Sequence, residues 1–542
     1  MVLLDESYSW CTDNSQIVDI IVGFYSSLFT SARSTDAYAV LEVIQPLVTK
    51  DMNISLTREF TRHVVDLALK DMAPLKALGP DGMPPIFFQS FWHLIGDDIS
   101  KAVLDCLNSC HIPKEFNYTY VTLIPKVKNP EKIYEFQPIS LCNVIYKLIS
   151  KVLANHLKPL LPSIVSENQS AFQAGRVITD NILMAFETLH YMKNYQNGTT
   201  RFMALKLDMS KAYDRVEWYF LECLLKKMGF HSKWFDLMME CITIVSYSIL
   251  IYEEPSHIID CSRGLRQGDP LSPYLFLLCI ESLHGLFTKA VASSGIRGIS
   301  ICRNGPRLTH LFFVDDSLLF CRASVQECIH IQNLLSTYEE ASGQKLNRDK
   351  TTLFFSKNMN SAVQDSIKDL LVVLEIKQYE NYLGLPSFVG RNRKASLAFI
   401  KDRIWNKLQG WKEKLLSQVG REVLLKAVMQ AIPTYSVSCF KFPITLCHEI
   451  EAMIRKFWWG QQGTRRRIHW VKWSTMCRPK SLGGMGFREL QKFNNAMLGK
   501  QVWHLLQHQD SLFFKFFKPN FSHMGPFFMP KKKNGLLLGK VF

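Results

Sequence analysis

A chain of 542 residues, 47% apolar with 64 Lys+Arg against 48 Asp+Glu, is too long for one hydrophobic core and too apolar for disorder, and reads as two to four packed subdomains. Its formal charge of +16 favours a polyanionic partner, nucleic acid first. The 14 cysteines form no Cys-x-x-Cys pair and no zinc spacing, which argues against a disulfide framework or structural zinc and for a reducing, intracellular setting.

Cys106, Cys110 and His111 come nearest to a cluster, but they lie on a helix-like stretch without a second half-site and are assigned no metal. No apolar stretch reaches about 18 residues, and the N-terminus lacks a basic region followed by an apolar run, so neither secretion nor a membrane span is expected.

In chain order, residues 17–30 read as a short amphipathic helix. Residues 57–72 read as another, beginning near Thr57 with Glu59 in its first turn. A Gly79-Pro80-Asp81-Gly82 turn follows. Residues 121–126 are strand-like, and 143–160 form a helix with one apolar face and Lys147, Lys151 and Lys158 on the other. Residues 201–209 alternate into a buried strand, 216–228 read as a helix, and 273–292 as another after a proline-bearing turn.

Residues 308–322 are apolar on both sides of Asp315-Asp316, the pattern of a buried hairpin with acids at its turn. After Gly384 the pattern becomes helical, with breaks at Gly410, Gly420, Pro433 and Pro443. This region is also the most cationic: residues 391–480 hold 19 Lys+Arg against 5 Asp+Glu. Trp405, Trp411, Trp458, Trp459, Trp470 and Trp473 interleave with those cations as in a nucleic-acid groove, although most of them read as core. The short basic run Pro530-Lys531-Lys532-Lys533 is a weak nuclear-import pattern.

Chemistry concentrates at two places. Nucleotidyl transfer uses two divalent metals roughly 3.5–4 Å apart, bridged by acidic oxygens. Asp208, in Leu207-Asp208-Met209-Ser210, ends one strand, and Asp315-Asp316, in Phe313-Val314-Asp315-Asp316, occupies a turn between strands. An Asp-Asp pair in a hairpin is by itself more often a polar turn. Here it is flanked by Leu311-Phe312-Phe313 and Leu318-Leu319-Phe320, and like charges held at an apolar sheet edge are costly without a cation.

Several blocks then resemble, in order, the reverse transcriptases of plant LINE-type, non-LTR retrotransposons. They are Lys76-Ala77-Leu78-Gly79-Pro80-Asp81-Gly82, Leu123-Ile124-Pro125-Lys126, Ser166-Glu167-Asn168-Gln169-Ser170-Ala171-Phe172 and Leu207-Asp208-Met209-Ser210-Lys211-Ala212-Tyr213-Asp214. Further along stand Gly264-Leu265-Arg266-Gln267-Gly268-Asp269-Pro270, Phe313-Val314-Asp315-Asp316, Ser342-Gly343-Gln344 with Asn347 and Lys350, and Tyr382-Leu383-Gly384-Leu385-Pro386.

The resemblance implies an α+β right-hand polymerase with fingers, a palm bearing an antiparallel sheet, and a helical thumb. The implied order is an N-terminal linker or helical extension at 1–70, fingers at 71–200, and a palm at 201–385 with a fingers portion near 220–262. A basic thumb at 386–460 and a post-thumb region at 461–542 follow. It implies two Mg2+ ions, with Mn2+ as a substitute, an RNA template, a DNA primer and dNTPs, and a nuclear setting; oligomeric state stays open.

It also implies residue roles. Asp208, Asp315 and Asp316 bind the metals, with the Met209 carbonyl as a further ligand. Lys350 is the general acid toward pyrophosphate and Lys126 a triphosphate contact. Tyr213 lies under the sugar and clashes with a ribose 2′-OH. Gln267 and Gly268 line the nucleotide and template, and Tyr382, Leu383 and Gly384 contact the primer.

Four departures stand out. Gln137, in Phe136-Gln137-Pro138-Ile139-Ser140, occupies the place of an arginine that clamps the triphosphate. Gln173-Ala174 stand for Val-Pro, Leu78 for proline, and Val314 for the common alanine. The chain is also expected to be a truncated copy, without the family's endonuclease and with an aberrant end at 530–542. A catalytically degenerate retroelement remnant that binds nucleic acid is therefore the alternative, and a group II intron maturase a weaker third.

Overall fold

The computed structural model describes residues 2–521, apart from 6, 8, 32–36, 196–199, 303–304, 358, 374, 377–380, 391, 413–415 and 461–467. The basic run at 530–533, the end at 530–542, and Arg465, Arg466 and Arg467 of the cationic stretch lie outside the described residues.

A five-stranded sheet organises the chain, in the order Glu375–Ile376, Thr352–Phe355, Phe202–Leu207, Asp316–Arg322, His310–Phe313. All pairings are antiparallel except that of the first two strands. Alternation along Phe202–Leu207 sends Met203, Leu205 and Leu207 into one core and Ala204 into another. Asp316–Arg322 does the same, with Leu319 and Cys321 on the first side and Leu318 and Phe320 on the second. Both faces are covered, which is why these strands read as continuous apolar runs.

The first core is built from helices including Pro85–Ser109, Val144–Leu157, Trp218–Met228, Ser232–Thr243, Ser272–Ala292 and Val325–Ser342. On the opposite face, Ile178–Asn194 joins the C-terminal helices Ala398–Lys412, Ile444–Trp458 and Leu490–Gln507 in the second core. A smaller sheet runs Phe136–Cys142, Tyr118–Pro125, Ser246–Ile251, Glu254–Pro255, with Ile259–Asp260 also paired to Ser246–Ile251. The N-terminal helix Asn14–Phe29, capped by Asp13, packs on it through Ile17, Ile21, Tyr25 and Phe29.

Several expectations need correction. Thr57 ends a helix instead of starting one: Lys50–Leu56 closes with the Thr57 N–H and hydroxyl both donating to the Asn53 carbonyl, and the next helix is Arg62–Lys70. Lys147 is buried, because Val144–Leu157 is packed on nearly every side; its amine reaches the Ala77 carbonyl at 3.5 Å. Gly410 lies inside Ala398–Lys412 and Gly420 inside Gln418–Leu424. Glycine only weakens a helix by about 1 kcal/mol, and the second helix starts at its Ser417 cap. Pro433 and Pro443 do stand at helix N-termini.

Of the six interleaved tryptophans, Trp458 and Trp473 are buried and Trp411 and Trp459 pack half-buried against the second core, so most are core as expected, while Trp405 and Trp470 are exposed. Ile400, Ile404 and Leu408 form the core stripe of Ala398–Lys412, leaving Trp405 off that face. One helix, Ser272–Ala292, is also long and apolar enough to cross a membrane, where none was expected. Residues 275–283 are all buried within the first core, the placement expected of a helix that is apolar all round.

Glu281 on that helix is 8% exposed and accepts from the Ser166 N–H at 2.9 Å. Burial pushes its carboxyl up to about 7, against the Ser166 hydrogen bond and the Arg176 charge. A raised acid contributes stability that is full below its unfolded value and lost as pH rises through the folded one. Glu281→Gln is therefore expected to stabilise the protein at pH 8 relative to pH 5, by on the order of 1–3 kcal/mol, measured as denaturation midpoints at the two pH values.

Candidate active site

The register of the central sheet fixes the carboxylates. Ser317 pairs with Leu207, so the next step of the same antiparallel ladder sets Asp316 beside Asp208. On the other side Asp316 pairs with Phe313, leaving Val314 and Asp315 as a two-residue turn. The Asp208 carbonyl accepts from the Asn347 N–H at 2.8 Å and the Ser210 N–H donates to the Lys345 carbonyl at 2.8 Å. Those two bonds flank Met209, whose own carbonyl takes no part in that bridge.

Burial pushes Asp315 up to about 6, with the charges of Asp316 and Asp208 adding to it. Burial also raises Asp316, opposed by Lys206 and reinforced by Asp208. Among the described residues no group of three or more His, Cys, Asp or Glu stands close enough to hold a metal ion as placed; the three acids are neighbours, not a closed coordination shell. Their chemistry fits a hard divalent cation: the donors are all oxygens, and their mutual repulsion is relieved by positive charge.

Cations surround this group. Lys126 is partly desolvated, which together with the charge of Lys350 lowers its pKa, while Asp214, Asp208 and Asp315 oppose the shift. Lys350 is exposed, in the same 345–350 segment that pins Asp208. Lys211, which sequence reasoning did not single out, has φ +53° and donates to the Phe136 carbonyl at 2.5 Å. Burial lowers it, and Lys126 lowers it further. Its only sequence signal was its place between Asp208 and Tyr213.

Gln137 is tied into a side-chain chain. Its Nε2 donates to Gln267 Oε1 at 2.8 Å, and Gln267 Nε2 donates to both oxygens of Asp214 at 3.2 and 3.1 Å. Asp214 is 3% exposed and raised by burial, with Lys211 and Gln267 opposing. It too was missed. Gly268 has φ +115° and lies so close to the strand Phe136–Cys142 that a Cβ would sit 3.0 Å from the Ser140 carbonyl oxygen. The Ser140 N–H donates to the Gln267 carbonyl at 2.8 Å.

Tyr213 stacks on Phe276 at 4.5 Å and 13°, and its pKa is raised by burial first and then by the charge of Asp315. Asn381–Tyr382 and Leu385–Pro386 form a hairpin whose turn residues, Leu383 at φ +49° and Gly384 at +76°, both take the left-handed conformation. The Tyr382 ring is buried in the second core, so the tip that faces outward is Gly384 with half-buried Leu383. The Tyr435 hydroxyl donates to the Leu383 carbonyl at 2.8 Å.

Residues 124–386 match the family described as reverse transcriptase (RNA-dependent DNA polymerase). That span contains both carboxylate-bearing strands, the lysines and the left-handed hairpin, and the chain has the α+β right-hand polymerase fold. The chain is 25% identical over 486 residues to the transposon TX1 uncharacterized 149 kDa protein of Xenopus laevis, covering 88% of this chain and 35% of that one. It is 36% identical over 128 residues to a putative ribonuclease H protein of Arabidopsis thaliana, covering 24% and 21%. With the Pol polyprotein of the R2DM retrotransposable element of Drosophila melanogaster it shares 24% identity over 336 residues, covering 61% and 29%. The chain thus spans about a third or less of the length of these relatives.

The close approach at Gly268 generates a prediction. Gly268→Ala is expected to lower stability by about 1–3 kcal/mol, because it adds a Cβ contact to a backbone conformation that non-glycine residues disfavour. A urea-denaturation midpoint equal to that of the parent would contradict the tight packing of this loop.

Proposed function

We propose that this chain is an RNA-directed DNA polymerase of a non-LTR retrotransposon, joining dNTPs to a DNA primer 3′-OH under the direction of an RNA template. The observation that carries the proposal is the placement of Asp208 and Asp316 side by side at the ends of paired strands, with Asp315 in the adjoining turn, inside the segment that matches the reverse transcriptase family. The plant LINE type is the finer reading, supported by the wording of the sequence blocks and the Arabidopsis relative. A nuclear setting belongs to the same proposal.

In this reading Asp208, Asp315, Asp316 and the Met209 carbonyl hold two Mg2+ ions. When bound, such ions activate the attacking hydroxyl and neutralise the triphosphate. The protein's own groups do the rest. Lys126 binds triphosphate oxygens, and Lys350 gives a proton from Nζ to the leaving pyrophosphate. Gln267 and Gly268 let the nucleotide approach the backbone closely, while the Tyr213 ring, held rigid on Phe276, excludes a ribose 2′-OH.

The palm of this polymerase is residues 201–385, with fingers at 71–200 and near 220–262, a thumb at 386–460 and a post-thumb region from 461. Leu383 and Gly384 meet the primer, with the Tyr382 ring anchoring their turn from below.

Primer extension on a poly(A)/oligo(dT) hybrid tests the assignment. Asp315→Asn should abolish extension while leaving RNA binding intact, and an active variant would reject the metal site. Gln137→Arg restores a cation beside the triphosphate and is expected to lower the dNTP KM about tenfold, since a charge-assisted hydrogen bond is worth roughly 1.5–3 kcal/mol. A parent protein that extends primers excludes a merely nucleic-acid-binding remnant.

A further inference from the structure

The turn that carries Asp315 is strained. Val314 has φ +56°, a left-handed conformation that suits glycine at the first position of a two-residue hairpin turn and that a β-branched residue avoids. Such a residue is strained and persists only where its surroundings fix it. Asp315 follows directly, so the direction of its carboxylate depends on how the Val314–Asp315 peptide is turned.

One side chain holds both ends of Val314. Gln169 is 1% exposed. Its Oε1 accepts from the Val314 N–H at 3.2 Å and its Nε2 donates to the Val314 carbonyl at 3.4 Å. A side-chain amide offers an uncharged acceptor and donor on one rigid plane. A carboxylate here would lose the donor and add a fourth charge beside three acids that already repel one another.

Gln169 is itself held. Its Oε1 also accepts from the Ala171 N–H at 3.0 Å, and its carbonyl accepts from the Arg176 guanidinium at 2.6 Å. The surrounding segment lies along the outer edge of the strand His310–Phe313. Phe312 N–H donates to the Asn168 carbonyl, and Ser170 N–H to the Phe312 carbonyl, with Gln169 and Phe312 in a parallel bridge. Asn168 Nδ2 donates to the His310 carbonyl and Asn181 Nδ2 to that of Phe312.

We infer that Gln169 is a positioning residue for polymerisation: it clamps Val314 in the left-handed conformation and thereby aims the Asp315 carboxylate at the metal-binding space. The inference rests on the polymerase reading for its consequence, but the clamp itself does not.

Hydrogen exchange in the unmodified, metal-free protein tests the clamp directly. The Val314 amide donates to a buried oxygen and is expected to exchange slowly; rapid exchange overturns the inference whether or not the protein is an enzyme.

The consequence is tested by a cycle of Gln169→Met, Val314→Gly and the double variant. Gln169→Met should lower primer-extension kcat about 10- to 100-fold, the range for losing a partner that orients a metal ligand. The Mg2+ concentration for half-maximal rate should rise while the Kd for template–primer holds. Val314→Gly in the Gln169→Met background should recover part of that loss, because glycine takes the left-handed turn without steric cost. Full activity in Gln169→Met, or an equal loss with and without Val314→Gly, overturns the positioning role. Absence of extension in the unmodified protein rejects the polymerase reading and leaves the clamp to the exchange measurement, which also decides it should Gln169→Met fail to fold.

Discussion

Three carboxylates at the ends of two hydrogen-bonded strands repel one another in a setting that also withholds water from them, and the rest of the site answers that repulsion. The pairing of Ser317 with Leu207 leaves no freedom in the matter: a sheet buried on both faces cannot slip by one residue without turning Leu205, Leu207, Leu318 and Phe320 to the wrong cores. The apolar layers therefore hold the acids together, and burial raises Asp315 and Asp316 as a consequence. Stability of the fold and electrostatic tension at its edge have a single origin.

Two kinds of group meet that tension. Lys126, Lys211 and Lys350 supply positive charge in mutual electrostatic range of Asp214 and the sheet-end acids. Neutral amides supply geometry without adding charge: Gln267 binds both oxygens of Asp214, Gln137 binds Gln267, and Gln169 holds Val314. The division is physically sensible. Cations lower the energy of the acids, whereas amides fix backbone and side-chain directions that a further charge would disturb.

Much of this was legible in the sequence because it is local. The strand at 202–207, the hairpin around Asp315-Asp316 and the Gly268 turn each announce themselves through apolar periodicity or turn chemistry. What was not legible depends on partners far along the chain. Gln169 meets Val314 across 145 positions, and Asp214 meets Gln267 across 53. Lys147 read as a surface cation because a helix packed on nearly every side has no polar face for its lysine to mark. Thr57 read as a helix start because threonine caps either end, and only its bonds back to Asn53 decide which. Of the six interleaved tryptophans four belong to the second core or pack against it, as their pattern suggests, while Trp405 and Trp470 are exposed; the core stripe of Ala398–Lys412 runs through its isoleucines and leucine.

Gln137 gains a different meaning from these contacts. Read as a sequence departure, it is a missing charge. In the structure it is the outer member of the chain from Asp214 through Gln267, and it lies next to Phe136, whose carbonyl accepts from Lys211. A cation is thus already delivered to this strand, from the segment that follows Asp208 instead of from the strand itself. The site's positive charge does not depend on position 137 alone, and the glutamine there joins the Gln267–Gly268 loop to the strand. What an arginine at this place adds is directional, a planar pair of donors; what the glutamine keeps is the alignment of the loop against the buried Asp214.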